Sequence, residues 1–190
     1  MLSNRIMGEI IQYHIDSGYP DSFVVGRLVF MDADYFVIQK ISPTGHWNGL
    51  ALYMQSDIVA ITQTTAYISR IQSLLKCRNE AAPFVPSISD NPLLCLLRYA
   101  QCTSQIVALE LHASGYRDAS GMVCELTKDT VTIKQVDEFG FPDGTSNISI
   151  NAITRLFIAD DESECLELLM ACNKEAWDRP GITGYGLREP

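Results

Sequence analysis

The residue types that most often carry chemistry are few and scattered in this chain. Three histidines stand at positions 14, 46 and 112, and no group of histidine, cysteine and carboxylate has the spacing of a zinc site. Nucleophilic catalysis would need a serine or cysteine beside a histidine and an orienting acid, and no local motif provides such a set. The sequence therefore predicts no catalytic residue, no metal site and no cofactor.

The six cysteines add no redox or metal pair. None of them belongs to a Cys-x-x-Cys pair, and several fall at apolar positions of expected helices or strands. We therefore expect reduced, buried thiols. The cysteines are Cys77, Cys95, Cys102, Cys124, Cys165 and Cys172.

Two turns of nearly the same sequence are candidates for recognition. Ser17-Gly18-Tyr19-Pro20-Asp21 returns 97 positions later as Ser114-Gly115-Tyr116-Arg117-Asp118. In one interpretation, Tyr19 and Tyr116 contact a partner. In the other, which we favour, glycine makes the turn, the aspartate bonds to its own backbone, and the tyrosine anchors the turn on the barrel.

Two loops with aromatic tips are the second candidate. His46 and Trp47 lie in a polar loop between two glycines, and the corresponding later loop carries Phe139 and Phe141. Aromatic side chains dominate the energetics of many interfaces. We predict partner contact here, with packing against the rest of the chain as the competing explanation.

The elements that position these loops occur twice. Glycines, an aspartate and isoleucines repeat at a spacing of 95, and they fall on turns and apolar strand positions. The fourth strand fits a spacing of 96 better, which predicts compensating one-residue changes in the flanking loops. The matched pairs are Gly26/Gly121, Asp34/Asp129, Ile38/Ile133, Gly45/Gly140, Gly49/Gly144 and Ile58/Ile153.

Hydrophobic periodicity gives each copy five short strands and a helix, which is typical of a small, strongly bent barrel. We expect residues 1–76 to form the first barrel with its C-terminal helix. Residues 77–91 are predicted to be a linker, and residues 92–177 a second barrel with a helix at each end. Residues 178–190 are expected to be an irregular tail.

Composition and charge exclude several classes of function. Apolar residues make up 47% of the chain, which is typical of a folded protein. Residues 91–190 carry eight basic against fifteen acidic side chains, so phosphate binding is disfavoured. The first residues lack the apolar core of a signal peptide, and no stretch reaches roughly 18 uncharged apolar residues. We therefore expect a cytoplasmic protein with no membrane segment.

The stretch from Gly26 to Val37 resembles the first signature of the Sm-like (LSm) proteins. Gly26, Leu28, Asp32 and Tyr35 fit its spacing, but Phe36 stands where the family has asparagine. The second copy has Gly121 and Val123, with Thr127 at the aspartate position and Val131 at the asparagine position. The second signature, Arg-Gly, should fall at Gln55-Ser56 and Asn151-Ala152 and is missing from both. The resemblance implies the fold, while both copies lack the residues of the family's uridine pocket.

The sequence therefore predicts a mainly β protein with flanking helices, built as two tandem Sm-like or SH3-like five-stranded barrels from an internal duplication. The expected role is a non-catalytic interaction or assembly module that binds a protein partner or itself through sheet edges and the aromatic loops. The edges could pair within one chain or between chains. The alternatives are an RNA-binding Sm-like protein with a degenerate pocket, and a sensor or enzyme with a site between the barrels.

Overall fold

The computed structural model describes residues 7–15 and 23–178. The chain divides into two compact units, which we call the first unit (Met1–Cys95) and the second unit (Leu96–Pro190). The described residues are mainly β, with antiparallel strands accompanied by helices, as predicted.

The first unit contains five strands in the spatial order β5-β1-β2-β3-β4. A 3₁₀ turn at Gln55–Asp57 separates the fourth strand from the fifth, and a helix follows the fifth strand. Thr65 begins this helix, because its side-chain oxygen accepts a hydrogen bond from the amide of Ile68. The elements are β1 (Ile10–His14), β2 (Val24–Met31), β3 (Tyr35–Ile41), β4 (Trp47–Met54), β5 (Ala60–Thr62) and α1 (Ala66–Arg78).

The second unit repeats this order of elements, with its strands arranged β10-β6-β7-β8-β9. A helix that begins in the first unit, α2, leads into it, and a 3₁₀ turn at Ile150–Ala152 again separates the fourth and fifth strands. The elements are α2 (Pro92–Thr103), β6 (Ile106–Leu111), β7 (Ala119–Leu126), β8 (Thr130–Val136), β9 (Pro142–Ser149), β10 (Ile153–Ile158), α3 (Asp161–Cys172) and α4 (Lys174–Trp177).

Strand register is the same in both units at a spacing of 95 throughout the central strands. Tyr35 pairs with Met54 on β3 and β4, and Thr130 pairs with Ser149 on β8 and β9. The predicted slip to 96 in the fourth strand is therefore wrong. The mismatch of apolar residues has another cause, since β4 buries four consecutive residues whereas β9 is largely exposed and polar.

Closed barrels are not confirmed. Among the described residues, no hydrogen-bonded ladder joins β5 to β4, or β10 to β9, so neither run of five strands closes on itself. Both units do bend in the same place, because β2 has a bulge after Leu28 and β7 has one after Val123. Closure needs continuous pairing around the sheet, and β5 is only three residues long.

A helix packs over equivalent apolar residues in each unit. In the first unit, Ile71 of α1 contacts a cluster with Val25 and Ile41. In the second unit, Leu166 of α3 contacts a cluster with Val136. Ile41 and Val136, and likewise Ile71 and Leu166, are 95 positions apart. In both units, therefore, the helix packs over the residue at the end of the third strand.

The cysteines are free thiols, but they do not lie where the sequence pattern put them. Cys95 is half-buried, and the other five are exposed. The expectation of buried thiols is wrong, because the apolar face of each helix or strand is filled by neighbouring aliphatic residues, such as Leu166 beside Cys165.

Three stacked aromatic rings fill part of the first unit's core. Phe36 stacks between Tyr13 and Tyr53, with ring centroids 5.6 and 5.2 Å apart. Tyr13 is fully buried, and its hydroxyl has no hydrogen-bond partner within residues 7–15 and 23–178. Burial of the neutral phenol raises the pKa of Tyr13 above its ordinary value.

We expect Tyr13→Phe to leave stability unchanged or to raise it by about 1 kcal/mol at neutral pH, because it removes an unsatisfied buried hydroxyl. The wild type should lose stability relative to the variant above about pH 10, where the unfolded tyrosine ionises while the folded one stays protonated. Urea denaturation at pH 7 and pH 10.5 measures both effects. A clear loss of stability in the variant at pH 7 would show that the hydroxyl has a partner.

Candidate binding surfaces

Trp47 packs into its own unit. It begins β4 and lies against the cluster of Val25, Ile41 and Ile71, with the Arg27 guanidinium 5.0 Å from the centre of its ring. Its indole Nε1 is buried and has no hydrogen-bond partner in the described part of the chain. The ring is half-buried rather than held out in solvent, and partner contact through it stays a prediction.

His46 braces the same loop. Its Nε2 lies 3.0 Å from Thr44 Oγ1, and its backbone amide donates to Ser42 Oγ at 3.2 Å. Gly45, the residue before His46, packs directly against the helix, because a Cβ on Gly45 would overlap the side chain of Leu74 in α1. The loop therefore rests on the helix.

The corresponding loop of the second unit presents an exposed ring. Asp137 Oδ1 accepts hydrogen bonds from the amides of Phe139 at 3.0 Å and Phe141 at 2.8 Å. The Phe139 carbonyl accepts a further bond from Asn173 at 2.8 Å. Phe141 is half-buried, whereas 62% of Phe139 is exposed. Phe139 is thus an aromatic side chain in solvent on a firmly held backbone.

Tyr116 also lies in solvent. Asp118 Oδ2 closes its turn by accepting hydrogen bonds from Ser114 Oγ at 2.6 Å and from the Leu111 amide at 2.7 Å. This is the backbone role that the sequence suggests for the aspartate. The tyrosine does not anchor the turn, because 76% of its surface is exposed. Tyr19, its counterpart, lies outside the described residues.

Arg117 connects the Tyr116 turn to helix α3. Its guanidinium pairs with Asp160 and, at 3.1 Å, with Glu162, and lies 4.9 Å from the centre of the Phe157 ring. Asp160 is buried and caps α3 by accepting bonds from the amide and hydroxyl of Ser163. The repeat does not reveal this ion pair, since Pro20 stands at the matching position of the first copy.

The strands β5 and β9 each have one partner among the described residues. β5 pairs with β1, and β9 pairs with β8. The amide of Ile150 donates to the carbonyl of Asp129 at 2.9 Å, and these residues lie opposite each other in the same register. Hydrogen-bonded and non-bonded pairs alternate along an antiparallel ladder. The backbone amides and carbonyls of Thr145, Asn147 and Ser149 therefore point away from β8.

Each unit also has a surface cleft between the start of its second strand, the end of its third strand and its helix. The first cleft, of about 140 Å³, is lined by Phe23, Ile41, Pro43, Asn48 and Tyr67. The second cleft, of about 380 Å³, has different residues at the corresponding positions. These residues are Asp118, Val136, Glu138, Asp143 and Glu162.

Sequence reasoning missed both clefts, although the repeat contained the signal. Adding 95 to Phe23, Pro43, Asn48 and Tyr67 gives a carboxylate every time. A change from neutral to acidic at four matched positions is a pattern that the alignment of the copies could have revealed.

Comparisons of this chain with protein families, with curated proteins and with solved structures found no match. Within residues 7–15 and 23–178, no helix has the length and apolar character needed to cross a membrane. No group of three or more histidine, cysteine, aspartate or glutamate side chains in that part of the chain could hold a metal ion.

Proposed function

We propose that this chain is a non-catalytic assembly module, made of two copies of a small bent β domain of the Sm-like type. It binds further copies of itself by pairing the edge of β9 in one molecule with the edge of β5 in the next. The observation that carries the proposal is that each of these strands has one partner among the described residues. Strand edges of this kind add strands from other chains.

The duplication is supported by the shared order of elements and by the register at a spacing of 95. It is also supported by the matched contacts of two glycines. A Cβ on Gly26 would lie 2.7 Å from the carbonyl oxygen of Gln39, and a Cβ on Gly121 would lie 2.9 Å from the Cα of Gln135 and closer to the carbonyl oxygen of Lys134. Because neither glycine has a side chain, the third strand of each unit can approach the second strand closely at the same point.

The geometry of β9 suits an edge strand that pairs with a strand of another molecule. The outward groups of Thr145, Asn147 and Ser149 form a row of donors and acceptors on an eight-residue strand. The proline and the one charged residue of that strand, Pro142 and Asp143, are its first two residues, so residues 145–149 carry neither of these protections of an edge. The exposed rings of Phe139 and Tyr116 offer a second contact for a protein partner.

Asn147→Pro tests the proposal, because it removes an outward amide without removing a bond to β8. We expect sedimentation velocity at tens of micromolar to show an oligomer for the wild type and a monomer for the variant. Thr145→Pro, at the next outward amide, should behave in the same way. Ala82→Pro, in the irregular segment before α2, serves as the control and should still assemble.

Each variant must keep its thermal transition, followed by tryptophan fluorescence, before its assembly state is compared. A wild type that stays monomeric at every concentration would contradict the proposal. So would oligomers of unchanged size in both folded edge variants.

A further inference from the structure

Aromatic side chains narrow the first cleft, whereas the second cleft has none and is open. In the first cleft, Phe23 and Tyr67 close on each other, with ring centroids 5.3 Å apart in an edge-to-face arrangement. Asp118 and Glu162 stand at their positions in the second unit. Asp118 turns toward Ser114, and Glu162 turns toward Arg117, so neither side chain fills the space. Loss of the two rings accounts for the larger volume.

The second cleft is also strongly acidic. It is lined by five carboxylates and by one guanidinium, that of Arg117, which is already paired with Asp160 and Glu162. Two of the carboxylates, Glu138 and Asp143, are exposed and make no side-chain hydrogen bond or ion pair within the described residues. The first cleft has one charged residue in its lining, Lys40, and that residue is basic. The duplicated site has therefore reversed its charge.

The walls of the second cleft include apolar side chains as well. Val136, Leu166 and Leu169 line it, and Leu169 is partly exposed. A volume of 380 Å³ lies in the range of about 300–1,000 Å³ that is usual for clefts that hold a ligand. Apolar walls with carboxylates around them complement a ligand that combines positive charge with aliphatic or aromatic surface.

We propose that this cleft binds a basic peptide segment of a protein partner, in which a lysine or arginine stands beside an apolar side chain. The cation lies between Glu138 and Asp143, the two carboxylates without an ion pair among the described residues, while the apolar side chain contacts Val136 and Leu169. A divalent metal ion fits the site poorly, because the carboxylates of the described residues do not converge as metal ligands do. Nucleic acid is repelled by the charge. This inference does not depend on edge pairing by β9.

The test is to select peptides from a displayed library of random dodecapeptides on the purified protein. The peptides enriched on the wild type should share a lysine or arginine next to an aliphatic or aromatic residue. Their affinity for the double variant Glu138→Gln/Asp143→Asn should fall about tenfold, because two unpaired carboxylates are lost. The second of these changes installs the residue found at position 48 of the first cleft.

Glu125→Gln/Asp129→Asn is the matched control, since it removes the same charge from exposed residues outside the cleft. Its affinity for the same peptides should stay within about twofold of the wild type. The edge variant Asn147→Pro should also keep peptide binding, which separates this inference from the proposed assembly. The inference is overturned if no peptide class is enriched, if the enriched peptides are neutral or acidic, or if the cleft variant binds as well as the wild type.

Discussion

Gly121→Val is expected to leave the second unit largely unfolded. A Cβ at this position would lie 2.8 Å from the carbonyl carbon of Lys134 and 2.9 Å from the Cα of Gln135. These are backbone atoms of β8 and cannot rotate away, so β7 and β8 must separate. We expect a loss of about 3 kcal/mol or more, at the upper end of the cost of overpacking.

The two tryptophans make the effect measurable unit by unit, because Trp47 lies in the first unit and Trp177 in the second. In a Trp47→Phe background, the fluorescence of Trp177 should report early unfolding by urea for Gly121→Val. Gly26→Val should do the same for Trp47 in a Trp177→Phe background. Gly115→Val is the control, because no atom lies within 4 Å of a Cβ there, and its loss should be smaller. A Gly121→Val protein as stable as this control would contradict the close approach of the strands.

Asp160→Ala is the second change with a large expected effect. The substitution removes the cap of α3, and it leaves the largely buried side chain of Arg117 with the exposed Glu162 as its one remaining carboxylate partner among the described residues. Loss of a cap costs about 1 kcal/mol, and loss of one partner from a buried ion pair costs about 3–5 kcal/mol. Because Glu162 still pairs with Arg117, we expect about 3 kcal/mol in total, measured by urea unfolding with Trp177 as the reporter.

Thr65→Ala is the matched control for this experiment. Thr65 caps α1 in the first unit at the position 95 residues before Asp160, and the described structure gives it no ion pair. The control should lose about 1 kcal/mol. If both alanine variants lose the same amount, Arg117 contributes nothing beyond the cap.

The fold was predictable at positions where the backbone geometry requires a particular residue type. Gly26 and Gly121 repeat because a side chain at either position would meet the neighbouring strand, and that constraint is visible as a repeated glycine. Hydrophobic periodicity likewise predicted five short strands in each copy, and five are described in each unit. The register of β9 was misread because its apolar residues no longer match those of β4, although the pairing itself is unchanged.

The candidate surfaces were harder to predict, because the exposure of a side chain depends on tertiary packing. Trp47 was expected at a loop tip, yet it packs beside Ile41, since the strand begins at that residue. Tyr116 was expected to anchor its turn, but Asp118 and Ser114 already hold the backbone and leave the ring in solvent. The cleft carboxylates come from separate loops, strands and a helix, so no local motif contains them.

Amide hydrogen exchange along β9, measured as a function of protein concentration, tests the assembly proposal most directly. The proposal predicts that the amides of Thr145, Asn147 and Ser149 exchange slowly at high concentration and much faster on dilution. The amides of Ser146 and Ile148, which face β8, should change little. Outward amides that exchange equally fast at every concentration would show that β9 pairs with no second molecule and would contradict the proposal.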